Sequence, residues 1–173
     1  MLRVSPDGKQ LWVQTGETNT NVVLDAETLD TLHTEPVGHG PVQSAFGPAG
    51  SRYGLLTHLE DDFVLALDRE TGRAVQRIDV GGPQANVCFL PDGATAYVTV
   101  TSRNEVVAID MVELVVVARI AAGEEPMGLV VFAPPGGRSR DGPASHQAPR
   151  PSSPGNSHAY ALSVRPKWVY DEQ

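Results

Sequence analysis

Five histidines and twenty-one acidic side chains are the groups here best able to hold a cation or move a proton. Two of the histidines stand beside acids or tight turns: His39 in Gly38-His39-Gly40-Pro41, and His58 at the head of His58-Leu59-Glu60-Asp61-Asp62. Imidazole and carboxylate together suit a divalent metal. His39 and His58, with Glu60, Asp61 or Asp62, are therefore candidate metal and ligand-binding residues. Arg103, in Ser102-Arg103-Asn104-Glu105, and the pair Glu124-Glu125 are further candidate ligand-binding residues. No ligand spacing recurs, and the plainer account of these residues is a solvated acidic rim. A divalent metal is the one cofactor they leave open, and none is otherwise expected. His33, His146 and His158 are expected at the surface.

Other chemistries lack their signatures. There is no nucleophile elbow, phosphate loop, dinucleotide fingerprint, Cys-x-x-Cys pair or haem-attachment sequence, so no catalytic residue is assigned. The single Cys88 precludes an intrachain disulfide and is expected to be a small buried hydrophobe. The formal net charge is −8, and residues 1–132 hold 8 Lys and Arg against 18 Asp and Glu. Such acidity argues against non-specific nucleic-acid binding and against an anionic membrane surface. No apolar run approaches the length of a membrane span. No charged segment followed by an apolar one opens the sequence, so no signal peptide is expected and the compartment is left open.

The elements that must position these residues come from a repeat. Pro6, Pro48, Pro91 and Pro134 recur at about 42 to 43 residues, each followed two positions later by Gly8, Gly50, Gly93 or Gly136. Phe46, Phe89 and Phe132 precede three of these prolines, and Asp25, Asp68 and Asp110 keep the same register, as do Gly38, Gly81 and Gly123. Each unit contains short apolar runs bounded by turn residues, which read as strands. The third run (Val22-Val23-Leu24, Val64 to Leu67, Val106 to Ile109) is continuously apolar and is expected to be buried on both faces. The fourth is looser and fits an outer strand. Pro-Asp-Gly is expected to join the first and second strands. Asp68-Arg69-Glu70-Thr71-Gly72 should join the third and fourth, with the carboxylate accepting turn amides and Gly72 left-handed. The periodic aspartates are thus turn residues.

Four strands with a period in the low forties make one propeller blade. The chain resembles the YVTN-type β-propeller repeats: Ser5-Pro6-Asp7-Gly8, Tyr97-Val98-Thr99, Val106-Val107-Ala108-Ile109-Asp110 and Thr71-Gly72 match the pattern. Leu11-Trp12-Val13 is a variant, and Tyr53-Gly54-Leu55 departs from it with Gly at the aromatic position. The resemblance covers residues 1 to about 136 and implies an all-β propeller of four-stranded antiparallel blades. Its members are mostly extracytoplasmic. It implies ligand sites on the rim formed by the loops that enter each first strand and the loops between second and third strands. His39, the 58–62 segment, Arg103 and Glu124-Glu125 all fall on that rim.

The expected blades are 1–38, 41–81 and 83–123, with residues 126–132 opening a fourth, so the propeller is incomplete at about three blades. The first unit is expected to supply only second to fourth strands, Met1 to Val4 being the end of a first strand. Residues 137–173 form a Pro-, Ser-, Gly- and Arg-rich tail, and 134–158 is expected to be disordered. Residues 159–164 resemble a second strand, either after an inserted loop or within an unrelated end. Trp12 and Tyr97 are expected to pack between blades, and Trp168 with Tyr170 could form a terminal hook. The functional expectation is a non-enzymatic binding or scaffold module, with self-association completing a ring or with a protein or surface-polymer partner. The alternative is part of a larger propeller enzyme or accessory protein, redox or lactonase-like, with a metal or cofactor at the acidic rim.

Overall fold

The computed structural model describes residues 1–132 and the backbone of residues 161–166. The expectations for 134–158, for His146 and His158, and for Trp168 and Tyr170 lie outside the described residues.

Fourteen strands follow one another among the described residues. They are β1 (Leu2–Val4), β2 (Gln10–Thr15), β3 (Thr20–Asp25), β4 (Thr31–Pro36), β5 (Pro41–Phe46), β6 (Tyr53–His58) and β7 (Phe63–Asp68). The rest are β8 (Ala74–Asp79), β9 (Gln84–Phe89), β10 (Thr95–Val100), β11 (Glu105–Asp110), β12 (Val115–Ala121), β13 (Pro126–Phe132) and β14 (Ala161–Pro166). They form three four-stranded antiparallel meanders, β1 to β4, β5 to β8 and β9 to β12, and a two-stranded sheet of β13 and β14. One 3-10 turn, Thr101–Arg103, is the only helical element among the described residues. The first unit does contain a first strand. β1, at the place where the sequence suggests the end of a first strand, is three residues long and pairs Leu2 with Val13 and Val4 with Leu11, so the first unit is four-stranded and not three-stranded. Extended residues beside a complementary edge pair even when few. Of the segment that resembles a second strand in sequence, residues 161–166 run as β14, antiparallel to β13.

The turns follow their chemistry. Gly8, Gly50 and Gly93 are left-handed (φ 74°, 94° and 70°), as the hairpins between first and second strands demand. At the other hairpin, Asp68 Oδ1 accepts the amides of Glu70 at 3.1 Å and Thr71 at 3.0 Å, and Asp25 and Asp110 do the same for their turns. Burial alone would raise the Asp68 carboxyl, but these hydrogen bonds outweigh it and hold its pKa low. Gly72 is left-handed at 70°, while Leu29 and Leu114 occupy the same turn position at 63° and 56°.

Register identifies equivalent residues. Trp12 opposes Val23, Leu55 opposes Ala66, and Tyr97 opposes Ala108. Leu55, not Gly54, therefore holds the aromatic position of the repeat, which corrects the alignment read from sequence. Gly54 is small for a packing reason: a Cβ there would stand 3.1 Å from Trp12 Cζ3 and 3.2 Å from Phe46 Cδ1.

The core lies between blades. One layer packs Trp12, Val23 and Val37 against Leu56, Leu65 and Leu67, with the Trp12 and Phe46 rings edge to face at 4.7 Å. The next packs Leu55, Val64 and Ala66 against Val98, Val107 and Ile109. The middle blade thus sends alternate side chains to each neighbour, and β7 and β11 are buried along four successive residues. β3 is not. Val22 and Leu24 keep partial exposure because the face opposite the middle blade has no blade against it among the described residues. The expectation of burial on both faces fails there. The outer strands β4, β8 and β12 are mostly exposed, as expected of the fourth position.

Candidate functional site

Two kinds of loop meet at one rim: those between second and third strands, and those leading from a fourth strand into the next first strand. One clasp recurs there. Asn19 accepts the Val37 amide on its carbonyl at 3.1 Å and the Gly40 amide on Oδ1 at 3.1 Å. Asn104 repeats this with Ala122 at 2.9 Å and Glu125 at 3.0 Å, and the Asp62 carbonyl accepts Val80 and Gly81 at 2.9 Å. Asn19 and Asn104 take left-handed backbone angles, φ 56° and 57°, which asparagine tolerates better than most residues.

His39 and Asp61 form the central pair of this rim. The His39 amide donates to Asp61 Oδ2 at 2.6 Å, and its Nδ1 lies 3.2 Å from Asp61 Oδ1. The His39 ring is 70% exposed and the Asp61 side chain 16%. Burial pulls the Asp61 pKa upward, but the hydrogen bonds from His39 and the fields of His58 and His39 prevail and hold it below the usual carboxylate range.

His58 departs from the expected solvated histidine. Its side chain is fully buried, because it closes β6 beneath the loop carrying Gly38. Its Nδ1 lies 3.1 Å from the Phe63 carbonyl, which can only accept, so Nδ1 carries the proton. Nε2 is buried without a hydrogen bond. Burial depresses the His58 pKa, and the Phe63 carbonyl and Asp61 offset this only partly. Gly38 fits the crowding: at φ 128°, a Cβ there would collide with Asp61 Oδ2 and stand 2.9 Å from Phe63 Cζ and 3.2 Å from His58 Nε2. His58 and Asp61 thus share Gly38 as a neighbour, while His39 turns outward. Among the described residues no group of three or more His, Cys, Asp or Glu side chains gathers as a metal would need.

The remaining candidates are spread along the rim. Glu60 and Asp62 are exposed, Glu60 lying beside Gly40. Arg103 is 3.4 Å from Glu105 Oε2, which Arg119 also reaches at 3.1 Å. Glu124 and Glu125 are exposed.

Sequence reasoning missed Gln84. It is fully buried on β9, yet Oε1 accepts the His58 amide at 3.0 Å and Nε2 donates to the Asp61 carbonyl at 2.8 Å and to that of Gly82. It also missed a buried polar seam in which Gln14 Nε2 reaches Asn21 Oδ1 at 2.9 Å and Ser44 Oγ at 3.1 Å. A glutamine directly after Pro83, where the neighbouring units have Val42 after Pro41 and Met127 after Pro126, was the available signal for the first. An asparagine at 21, where the other units have Val64 and Val106, was the signal for the second.

No protein-family model matches this chain, and no curated protein matches it. Solved structures do. Hydrazine synthase of Kuenenia stuttgartiensis is similar with TM-score 0.69 and 25% identity over 74% of this chain and 37% of that one. Dihydro-heme d1 dehydrogenase NirN, in complex with DHE, is similar with TM-score 0.65 and 14% identity over 76% and 30%. A functionally unknown protein from Desulfotomaculum acetoxidans is similar with TM-score 0.65 and 20% identity over 76% and 44%. The chain spans less than half the length of each. With three antiparallel four-stranded sheets packed face to face, the chain is built of β-propeller blades.

Proposed function

We propose that this chain is a YVTN-type β-propeller module that binds or scaffolds a partner and performs no chemistry. The observation that supports this reading is how the rim spends its polar groups. Asp61 holds the His39 amide, Gln84 holds His58 and Asp61, and Asn19 and Asn104 each clasp the neighbouring loop. Groups used this way shape a surface. The exposed residues His39, Glu60, Asp62, Arg103 and Glu124-Glu125 then form an acidic face for a protein or surface-polymer partner.

Self-association belongs to the same reading. Val13, Val22 and Leu24 occupy the positions at which Leu56, Leu65 and Leu67 receive the preceding blade. A second copy supplying a blade would cover them. Light scattering on a size-exclusion column tests this. A discrete dimer that Leu24→Glu converts to monomer supports it; a monomer unchanged by Leu24→Glu rejects it.

A second reading rests on length. The chain spans 37% and 30% of two neighbours named as a synthase and a dehydrogenase, and would be part of a larger propeller enzyme or accessory protein. In that reading His39 and Asp61 would face a metal or cofactor. A thermal shift with Ca²⁺, Zn²⁺ or Cu²⁺ that disappears in His39→Ala would favour it. Equal shifts in both proteins would leave the binding module.

A further inference from the structure

The opposite end of the blades, where the hairpin turns lie, carries two open depressions that run together. One, of about 290 Å³, is walled by Tyr53, Phe89, Met111 and Val112. The other, of about 360 Å³, is lined by Arg69, Asp68 and Glu70, and Ser51 and Arg52 belong to both. We infer that this hairpin end binds a small organic monoanion, with its aromatic or branched apolar body on Tyr53, Phe89 and Val112 and its charge between Arg52 and Arg69.

Both guanidiniums are under-used. Arg69 makes no side-chain hydrogen bond or ion pair among the described residues, and its Nη1 is buried without a partner. A half-buried unpaired cation is costly, and an entering anion recovers that cost. Arg52 has its Nε 3.9 Å from Asp68 Oδ2 and a side chain 74% exposed, a pairing worth little in water. Its guanidinium carbon stands 5.1 Å from the centre of the Tyr53 ring, which places the cation at the junction of the two depressions. The Asp68 carboxylate is committed to its own turn through Glu70 and Thr71.

The apolar wall needs a reason too. Val112 is 77% exposed at the lip, whereas Met111 beside it is 7% exposed. An apolar body seated there would cover Val112 and the edges of Tyr53 and Phe89. Charge sets the size of the ligand's headgroup. Asp68 and Glu70 line the same depression, and Asp7 is close enough to Arg69 to feel its field. Arg52 and Arg69 against Asp68 and Glu70 leave the lining formally neutral, so in a chain of net charge −8 only a single small headgroup held directly by the two guanidiniums is favoured and polyanions are repelled.

The test is calorimetric titration of the full chain with 2-naphthalenesulfonate, with 2-naphthol and sodium sulfate as separate controls. Saturable binding of the sulfonate is expected, tighter than either control. It should weaken about 10-fold or more in Arg69→Gln and in Arg52→Gln, as expected for loss of one charge-assisted contact. Val112→Glu, at an exposed position that folding does not need, should weaken it as well. Naphthol binding as tightly as the sulfonate would reduce the site to an apolar patch and overturn the inference. Absence of saturable binding, or wild-type affinity in Arg69→Gln and Val112→Glu, would also overturn it.

Discussion

Gln84 reaches from the first strand of one blade into the loop of the preceding blade, and its Oε1 accepts the backbone N–H of His58 at 3.0 Å. The same amide donates to the Asp61 carbonyl at 2.8 Å. One side chain therefore ties two blades at the rim, in a place that water does not reach. Gln84→Leu keeps the volume and leaves a buried amide and a buried carbonyl unmatched. We expect a loss of about 2 to 4 kcal/mol, read by urea denaturation. A loss below about 0.5 kcal/mol would mean that the link carries no stability.

The crowding at Gly38 makes a second prediction. Its φ of 128° and the close approach of Phe63 and His58 leave no room for a methyl group. Gly38→Ala should cost about 2 kcal/mol or more and should shift the tryptophan-independent Phe63 and His58 resonances. Gly8→Ala meets nothing within 4 Å and should show only the smaller backbone cost. Equal losses at the two positions would contradict the packing account.

His58 should make stability depend on pH. Burial lowers its folded-state pKa below the unfolded value near 6.5. The unfolded chain then binds the extra proton first as pH falls. Stability is fully present above about pH 6.5 and declines as pH drops through that value toward the folded pKa. His58→Asn retains a donor for the Phe63 carbonyl and removes the titration. Unfolding free energies measured from pH 7.5 to 5 should fall more steeply for the wild type than for His58→Asn. Parallel curves would assign the effect elsewhere.

Blade position should decide the cost of identical truncations. Leu24 and Leu67 are equivalent by register, but Leu67 is fully buried between blades and Leu24 only partly covered. Leu67→Ala should cost about 2 to 5 kcal/mol, and Leu24→Ala clearly less in the isolated chain. Urea unfolding of the two variants decides the point. A cost at Leu24 as large as at Leu67 would show that its face is already covered in solution.

Cys88 is only half-buried on β9, not sealed as the sequence suggested, yet it should react slowly. Burial pushes its thiol up to about 12, the backbone hydrogen bond from Tyr97 offsetting little of the shift. Iodoacetamide labelling at pH 8 should run roughly 1000-fold slower in the native protein than in urea, following the thiolate fraction. Labelling at comparable rates would show that the strand opens readily.

The sequence alone determined the blades, because turns are built from local chemistry. Pro-Asp-Gly presets one hairpin, and Asp68 with Gly72 builds another within five residues. Period, strand order and the outer fourth strand could all be read from those marks. Strand register was less legible: Gly54 was placed at an aromatic position that Leu55 holds, since one-residue offsets show only when strands pair. Burial was less legible still. Val22 and Leu65 look alike in sequence, and only the presence or absence of a blade against each separates them. His58 and Asp61 were visible as an acidic, histidine-bearing loop. That one is sealed and the other half-open depends on where Gly38 and Gln84 arrive, from 20 residues before His58 and 26 after it. Tertiary structure decided the use of those polar groups, because burial and hydrogen-bond satisfaction belong to the packed blades and not to any one segment.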